Sequence, residues 1–217
     1  MPPMRKTWSE ADPLRMAVLI SGGGTTLANL IDRIADGRLR GAAIRLVVSS
    51  RPDVRGVTIA RDAGLPVEII RRRDFADDAA FSRAITAAID RAGVDLVVMG
   101  GFLRLWHLPP HYEGRVLNIH PALLPKYGGK GMYGERVHAA VLAAGERETG
   151  CTVHLVDNQY DHGPIVAQRR VPVLPQDTPE SLAHRVQAVE RELYPEVIQN
   201  VVRHGLGWLR ERATAES

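Results

Sequence analysis

An amide, an imidazole and a carboxylate lie within residues 118–164. Asn118 and His120 sit in Asn118-Ile119-His120-Pro121, and Asp161 opens Asp161-His162-Gly163-Pro164 at the far end. No serine or thiol motif accompanies them. The set therefore suits a reaction in which an oxyanion forms and a proton moves, while the nucleophile comes from a substrate amine or water. A side-chain amide donating to a developing oxyanion contributes about 2.7–4 kcal/mol. An imidazole that holds or passes a proton contributes roughly 100- to 10,000-fold in rate. A neighbouring carboxylate favours the charged imidazole and can relay protons through water. Each residue also has a plain structural role open to it. His120 before a proline can be a satisfied structural histidine, Asn118 can cap a turn, Asp161 can brace Gly163-Pro164, and His154 can be a core or supporting residue. A metal site built from His120, His154, Asp157, Asp161 and His162 would lack any HExxH spacing or cysteine cluster, and none is expected.

The elements that must position these residues follow a βα rhythm. Residues 16–20 form a continuous apolar run, the pattern of a buried parallel strand. The run ends in Ser21-Gly22-Gly23-Gly24-Thr25-Thr26, and a helical pattern follows over 27–35. Strand, glycine turn and helix together present backbone N–H groups and a helix N-terminus to an anion, with Thr25 and Thr26 available as caps or hydroxyl donors. The loop is neither a Walker A sequence nor a GxGxxG, and it could equally be a tight turn. Strands over 44–48, 67–70 and 95–99 alternate with helices over 54–63 and 77–92. Strands over 116–119, 151–156 and 165–171 follow, with a helix over 135–144. A long helix runs over 178–202, where Pro195 is expected to kink or interrupt it. The alternation predicts an α/β, Rossmann-like three-layer fold with a mostly parallel central sheet. In such sheets ligands gather at the carboxyl ends of the strands. The glycine loop, the Gly100-Gly101 turn and the Asn118–His120 segment all follow strands, so they should converge on one edge. Residues 1–15 are expected to be a flexible extension, 16–207 a single domain and 208–217 a peripheral tail.

Composition excludes several classes. The 217 residues are 45% hydrophobic and 24% charged, ordinary for a globular chain. No run reaches the roughly 18 apolar residues of a membrane helix, and no signal-peptide core opens the chain. The single cysteine, Cys151, excludes an intramolecular disulfide and suits a reducing, cytoplasmic setting. The net charge is +3, with basic residues spread along the sequence. The one dense run, Arg71-Arg72-Arg73, is bracketed by Glu68, Asp74, Asp77 and Asp78, so nucleic-acid binding is not expected.

Taken in order, SGGGTTL, GGFLR, NIHPALLPKY and DHGPIVAQ resemble the folate-dependent formyltransferases that act on glycinamide ribonucleotide. The wider group includes methionyl-tRNA formyltransferase and formyltetrahydrofolate hydrolase. The resemblance runs over 16–206, and NIHPxLLPKY followed by DxGP is its specific part. It implies 10-formyltetrahydrofolate as co-substrate, glycinamide ribonucleotide as acceptor and no metal. It further implies that Asn118, protonated His120 and Asp161 form the catalytic trio. By the same resemblance Gly22, Gly23, Gly24, Thr25 and Thr26 hold phosphate, and Gln187 and Glu190, one helical turn apart, face the ribose. Phe102, Leu103, Arg104, Val156, Asp157, Asn158 and Tyr160 would line the folate, with His154, Lys126 and Lys130 in support.

The sequence departs from the family pattern at several positions. Gly23 and Thr26 replace loop asparagines, and Asp78 stands where a phosphate-contacting arginine is expected. Arg71, Arg72, Arg73 or Lys130 would have to supply that charge. The loop after Lys126 is also longer. A tRNA enzyme would need a further carboxyl-terminal domain and a hydrolase a preceding regulatory one, so the stand-alone ribonucleotide enzyme is the expectation. Hydrolysis or transfer to another small amine is the alternative. A non-catalytic nucleotide-binding module is more remote, because it would not need Asn118, His120 and Asp161 together. The partners expected are small molecules, with no membrane or nucleic acid, and a homodimer is left open.

Overall fold

The computed structural model describes residues 6–215. Seven strands form one sheet in the order β3-β2-β1-β4-β5-β6-β7. They are β1 (Leu14–Ile20), β2 (Ala42–Ser49), β3 (Val67–Ile69), β4 (Leu96–Met99), β5 (Val116–His120), β6 (Glu148–Leu155) and β7 (Ile165–Pro172). The first five run parallel, whereas β6 lies antiparallel to β5 and β7 to β6. The helices are α1 (Thr25–Ala35), α2 (Arg55–Asp62), α3 (Asp78–Ala92), α4 (Glu135–Ala143), α5 (Pro179–His204) and α6 (Gly207–Ala215). This is the three-layer, mostly parallel arrangement expected from the sequence.

The period of two along each strand divides the side chains between two cores. On β1, Leu14, Met16, Val18 and Ile20 enter one core, while Ala17 and Leu19 enter the other. On β4, Leu96 and Val98 face the first core, and Val97 and Met99 the second. Burying each large aliphatic side chain stabilises the fold by about 1.5–3 kcal/mol, so a one-residue slip would be costly on both faces. On β5, Leu117 and Ile119 belong to the first core, so Asn118 and His120 share the opposite face with Val116. On β6, Cys151, Val153 and Leu155 likewise face the first core, leaving Thr152 and His154 on the face of Asn118 and His120. The register pairs Asn118 with His154 and His120 with Thr152. Alternation alone thus gathers four polar side chains on one patch of sheet.

Three local expectations need revision. Pro195 does not interrupt α5, which runs unbroken over Pro179–His204. The carbonyl that a proline leaves without an amide partner is that of Arg191, and here it accepts from Asn29 Nδ2 at 2.9 Å and from Arg33 Nη2 at 3.3 Å. Two α1 side chains therefore repair the break. The described part of the 1–15 extension is packed rather than loose, because Trp8 joins the first core and its backbone N–H donates to Val202 O at 3.1 Å. Residues 1–5 lie outside the described residues. The tail is not peripheral either: α6 places Leu209 and Ala213 in the first core, while residues 216–217 also fall outside the description.

Candidate active site

The strand order switches at β1, which pairs with β2 on one side and with β4 on the other. Ligands of such sheets gather outside the carboxyl ends of the strands at this switch. The glycine loop after β1 is shaped by close approach. A Cβ on Gly24 would meet Gly56 Cα at 2.5 Å, and Gly24 has φ 72°. Gly56 N in turn donates to Gly22 O at 3.1 Å. Helix α1 begins at Thr25 with Gly24 as N-cap. Thr25 and Thr26 therefore do not cap it, and the first turn of α1 has no side-chain cap. Ser21 ties this loop to the next one. Its N–H donates to Gly101 O at 3.1 Å, its Oγ accepts from Leu103 N at 3.0 Å, and it bonds Ser50 Oγ at 2.7 Å.

Behind the loop, Thr25, Thr26, Asn29, Ile119, Gln187, Glu190, Arg191 and Tyr194 line one cleft. The structure thus joins the two halves of the sequence-derived phosphate and ribose set. Burial pushes the Glu190 carboxyl up to about 7, opposed only by the nearby Arg191. Asn29 was missed in the sequence reading, although it falls one turn beyond Thr25 and Thr26 on the same helix.

The trio converges on the other side of β5. Asp161 Oδ2 lies 3.4 Å from His120 Nδ1 and accepts from Gly129 N at 3.0 Å. Its Oδ1 accepts from Asn118 Nδ2 at 3.4 Å. His120 Nε2 donates to Tyr127 O at 2.8 Å, since a carbonyl can only accept. The same rule fixes His154: Nδ1–H donates to Leu155 O at 2.9 Å, so Nε2 accepts from Asn118 Nδ2 at 3.1 Å. One Asn118 hydrogen is thereby firmly held and the other only loosely. Burial lowers the His120 pKa, against the raising effect of Asp161 and of the bond to Tyr127. Burial thus works against the protonated His120 implied by the family resemblance, and Asp161 works for it. Burial would raise the Asp161 carboxyl, but the nearness of His154 and His120 and the Gly129 N–H together hold it below its usual value.

Strain marks the same place. Among the described residues, Tyr127 (φ 57°) and Asp161 (φ 52°) are the non-glycine residues with positive φ. Such conformations cost about 1–3 kcal/mol each and persist only where the surroundings dictate them. A Cβ on Gly163 would lie 1.9 Å from Leu155 O, so only glycine lets the Asp161 loop return so close to β6. Thr152, unforeseen from sequence, supports the opposite wall: its Oγ1 accepts from Leu124 N at 3.0 Å and donates to Ala122 O at 2.7 Å.

The remaining residues separate into presented and committed groups. Leu103, Arg104 and Tyr160 are exposed, whereas Phe102 is buried in the second core and Val156 packs against it. The Asn158 side chain accepts from Leu108 N at 2.9 Å, which ties the 156–160 loop to the chain a few residues beyond Arg104. Asp157 accepts from Gln159 N at 2.7 Å and pairs with His162 at 2.8 Å. Lys126 pairs with Glu146 at 2.9 Å rather than reaching the trio. Arg71 pairs with Asp74 at 2.6 Å and Arg72 with Asp78, which leaves Arg73 and Lys130 exposed.

A buried imidazole–carboxylate pair beside a strand-end amide, at the carboxyl edge of such a sheet, is suited to group transfer in which the protein supplies no nucleophile. The formyl transferase profile matches residues 14–198, and the chain belongs to that family. Within it, the chain is similar to the phosphoribosylglycinamide formyltransferase of Escherichia coli (strain K12), with 38% identity over 189 residues and 85% of each chain covered. The chloroplastic enzyme of Arabidopsis thaliana is 39% identical over 198 residues, 89% of this chain and 67% of its own. The trifunctional purine biosynthetic protein adenosine-3 of Drosophila melanogaster is 41% identical over 192 residues, and this chain spans only 14% of it. Among solved structures, the Coxiella burnetii phosphoribosylglycinamide formyltransferase superposes with a TM-score of 0.80 at 42% identity, covering 88% of both chains.

Proposed function

We propose that the chain transfers the formyl group of 10-formyltetrahydrofolate to the primary amine of glycinamide ribonucleotide, a step of purine biosynthesis. The contact between His120 and Asp161, with Asn118 alongside, carries this reading. The amine lone pair adds to the formyl carbon, and the electrons of its C=O move onto oxygen. Asn118 Nδ2 turns its loosely held hydrogen from Asp161 to that oxyanion. The proton of the attacking amine passes to His120 Nδ1, the ring nitrogen not committed to Tyr127, and Asp161 stabilises the imidazolium. Collapse re-forms the C=O and breaks the bond to the folate nitrogen, which takes the proton.

In this reading the glycine loop and the start of α1 hold the phosphate, while Gln187 and Glu190 hold the ribose. Folate lies between the exposed Leu103 and Arg104 and the 156–160 loop. A buried lone thiol, Cys151, supports a reducing cytoplasmic setting. An absorbance assay with 10-formyltetrahydrofolate, run with and without glycinamide ribonucleotide, tests the proposal. Folate release that requires the ribonucleotide is expected. Release without any acceptor would make the chain a hydrolase, and no release would leave a binding module.

A further inference from the structure

Besides its contact with Asp161, the His120 ring donates from Nε2 to the backbone carbonyl of Tyr127, a residue in the left-handed region. Something must keep Tyr127 there, because an unpinned non-glycine residue would relax to negative φ. On its far side the Tyr127 hydroxyl donates to Glu146 Oε1 at 2.9 Å, and Lys126 Nζ donates to the same oxygen at 2.9 Å. Two consecutive residues of the loop are thus fastened to one carboxylate, which follows α4 in the chain. The next residues complete the frame. A Cβ on Gly128 would press on Leu124 Cδ2 at 2.6 Å, and Gly129 N donates to Asp161. Glu146 is partly exposed, its side chain 26% accessible, and it lines a cleft of about 240 Å³ with Leu124, Lys126, Tyr127, Gln168 and Arg170.

We propose that Glu146 is a positioning residue: by pinning Lys126 and Tyr127 it holds the Tyr127 carbonyl on His120 Nε2, and so fixes the tautomer that leaves Nδ1 free toward Asp161. The catalytic consequence rests on the role of His120 proposed above, but the pinning itself does not. Two separate readouts keep them apart. Long-range ¹H–¹⁵N spectra of the imidazoles report the His120 tautomer without any turnover, and steady-state rates report catalysis.

In Glu146→Ala the His120 ring signals should shift from the Nε2–H tautomer toward a mixture. kcat should fall about 10- to 100-fold with KM little changed, since small misplacement of a reacting group has effects of that size. The truncation opens the cleft onto Lys126 and the Tyr127 hydroxyl, so acetate at high concentration should restore part of both signals where chloride at equal ionic strength does not. Tyr127→Phe, which keeps the carboxylate and removes one donor, should shift the ring signals in the same direction by less. Unchanged His120 signals in Glu146→Ala overturn the pinning whatever the rate does. Shifted signals with an unchanged rate uphold the pinning and instead remove His120 from the chemistry.

Discussion

The two ends of this site are built on opposite plans. Where the formyl group would react, side chains do the work, and each holds another: Asn118, His120, His154 and Asp161 form a closed set. Two strained backbones, Tyr127 and Asp161, maintain it. Where the phosphate would sit, the protein offers three glycines, the uncapped start of α1 and few committed side chains. The first end is rigid and nine-tenths enclosed, with the His120 side chain 4% exposed and that of Asp161 12%. The second is more open, and the groups of its cleft perturbed by burial are the Glu190 carboxyl and the Tyr194 hydroxyl, both raised. Chemistry that moves a proton needs fixed distances, whereas an anion needs only N–H groups pointing its way. Substitutions should therefore act on kcat at the first end and on KM at the second.

The sharpest break in that contrast is Asp161→Asn. It keeps the shape and the contact with Gly129 but removes the charge that stabilises the His120 imidazolium. kcat should fall by roughly 100- to 10,000-fold with KM nearly constant. The carboxyl is held below its unfolded value and His120 is also lowered, so both contribute stability that is present at neutral pH and lost as pH falls. Urea unfolding of the parent from about pH 5 to about pH 2 should show the loss of the Asp161 contribution, which the variant lacks. A loss that appears in KM instead would mean that Asp161 binds rather than reacts. Next in size, Asn118→Ala should lower kcat by roughly 100- to 1,000-fold through the lost oxyanion donor. A folded variant, judged by circular dichroism, that kept its rate would shift the oxyanion role elsewhere.

At the other end, Glu190→Gln should raise KM for the ribonucleotide about tenfold and leave kcat alone. Its carboxyl, raised to about 7, binds a proton in the folded chain at pH values where the unfolded chain has lost it. Stability from this group therefore falls as pH rises from the unfolded value to about 7. The glutamine variant should lack that fall and be more stable at pH 8, by on the order of 3 kcal/mol. Equal unfolding midpoints for parent and variant at pH 8 would show that the Glu190 carboxyl is ionised without penalty.

The contrast also explains how much was legible in the sequence. Strand runs such as Met16–Ile20 announce themselves because both faces are apolar, and Asn118 with His120 follow from alternation on β5. Asp161 could be paired with them because DxGP has a recognisable form. Tyr127 and Gly129 could not, since they act through backbone atoms that any residue type carries. Pro195 misled for a related reason: its effect on α5 depends on Asn29 and Arg33 of a distant helix. Trp8 and Leu209 were misplaced because single apolar residues in polar surroundings carry no period.

The smallest expected effects probe how far the open end relies on charge. Asp78 stands where an arginine was expected, and its carboxylate is bound by Arg72, just as Asp74 binds Arg71. Of the cations weighed as replacements, Arg73 and Lys130 are exposed, the latter on the glycine-rich loop that also carries the exposed Tyr133. Cations so open to water attract a phosphate weakly, by roughly 0.2–1 kcal/mol each, and are screened by salt. Arg73→Ala and Lys130→Ala should therefore raise KM for the ribonucleotide by about two- to fivefold at low salt, with no change in kcat and little difference at high salt. Whichever variant loses the salt dependence of KM identifies the cation that has taken over from the missing arginine. If neither does, the phosphate is held by the glycine loop and α1 alone, and the open end of the site works entirely through backbone N–H groups.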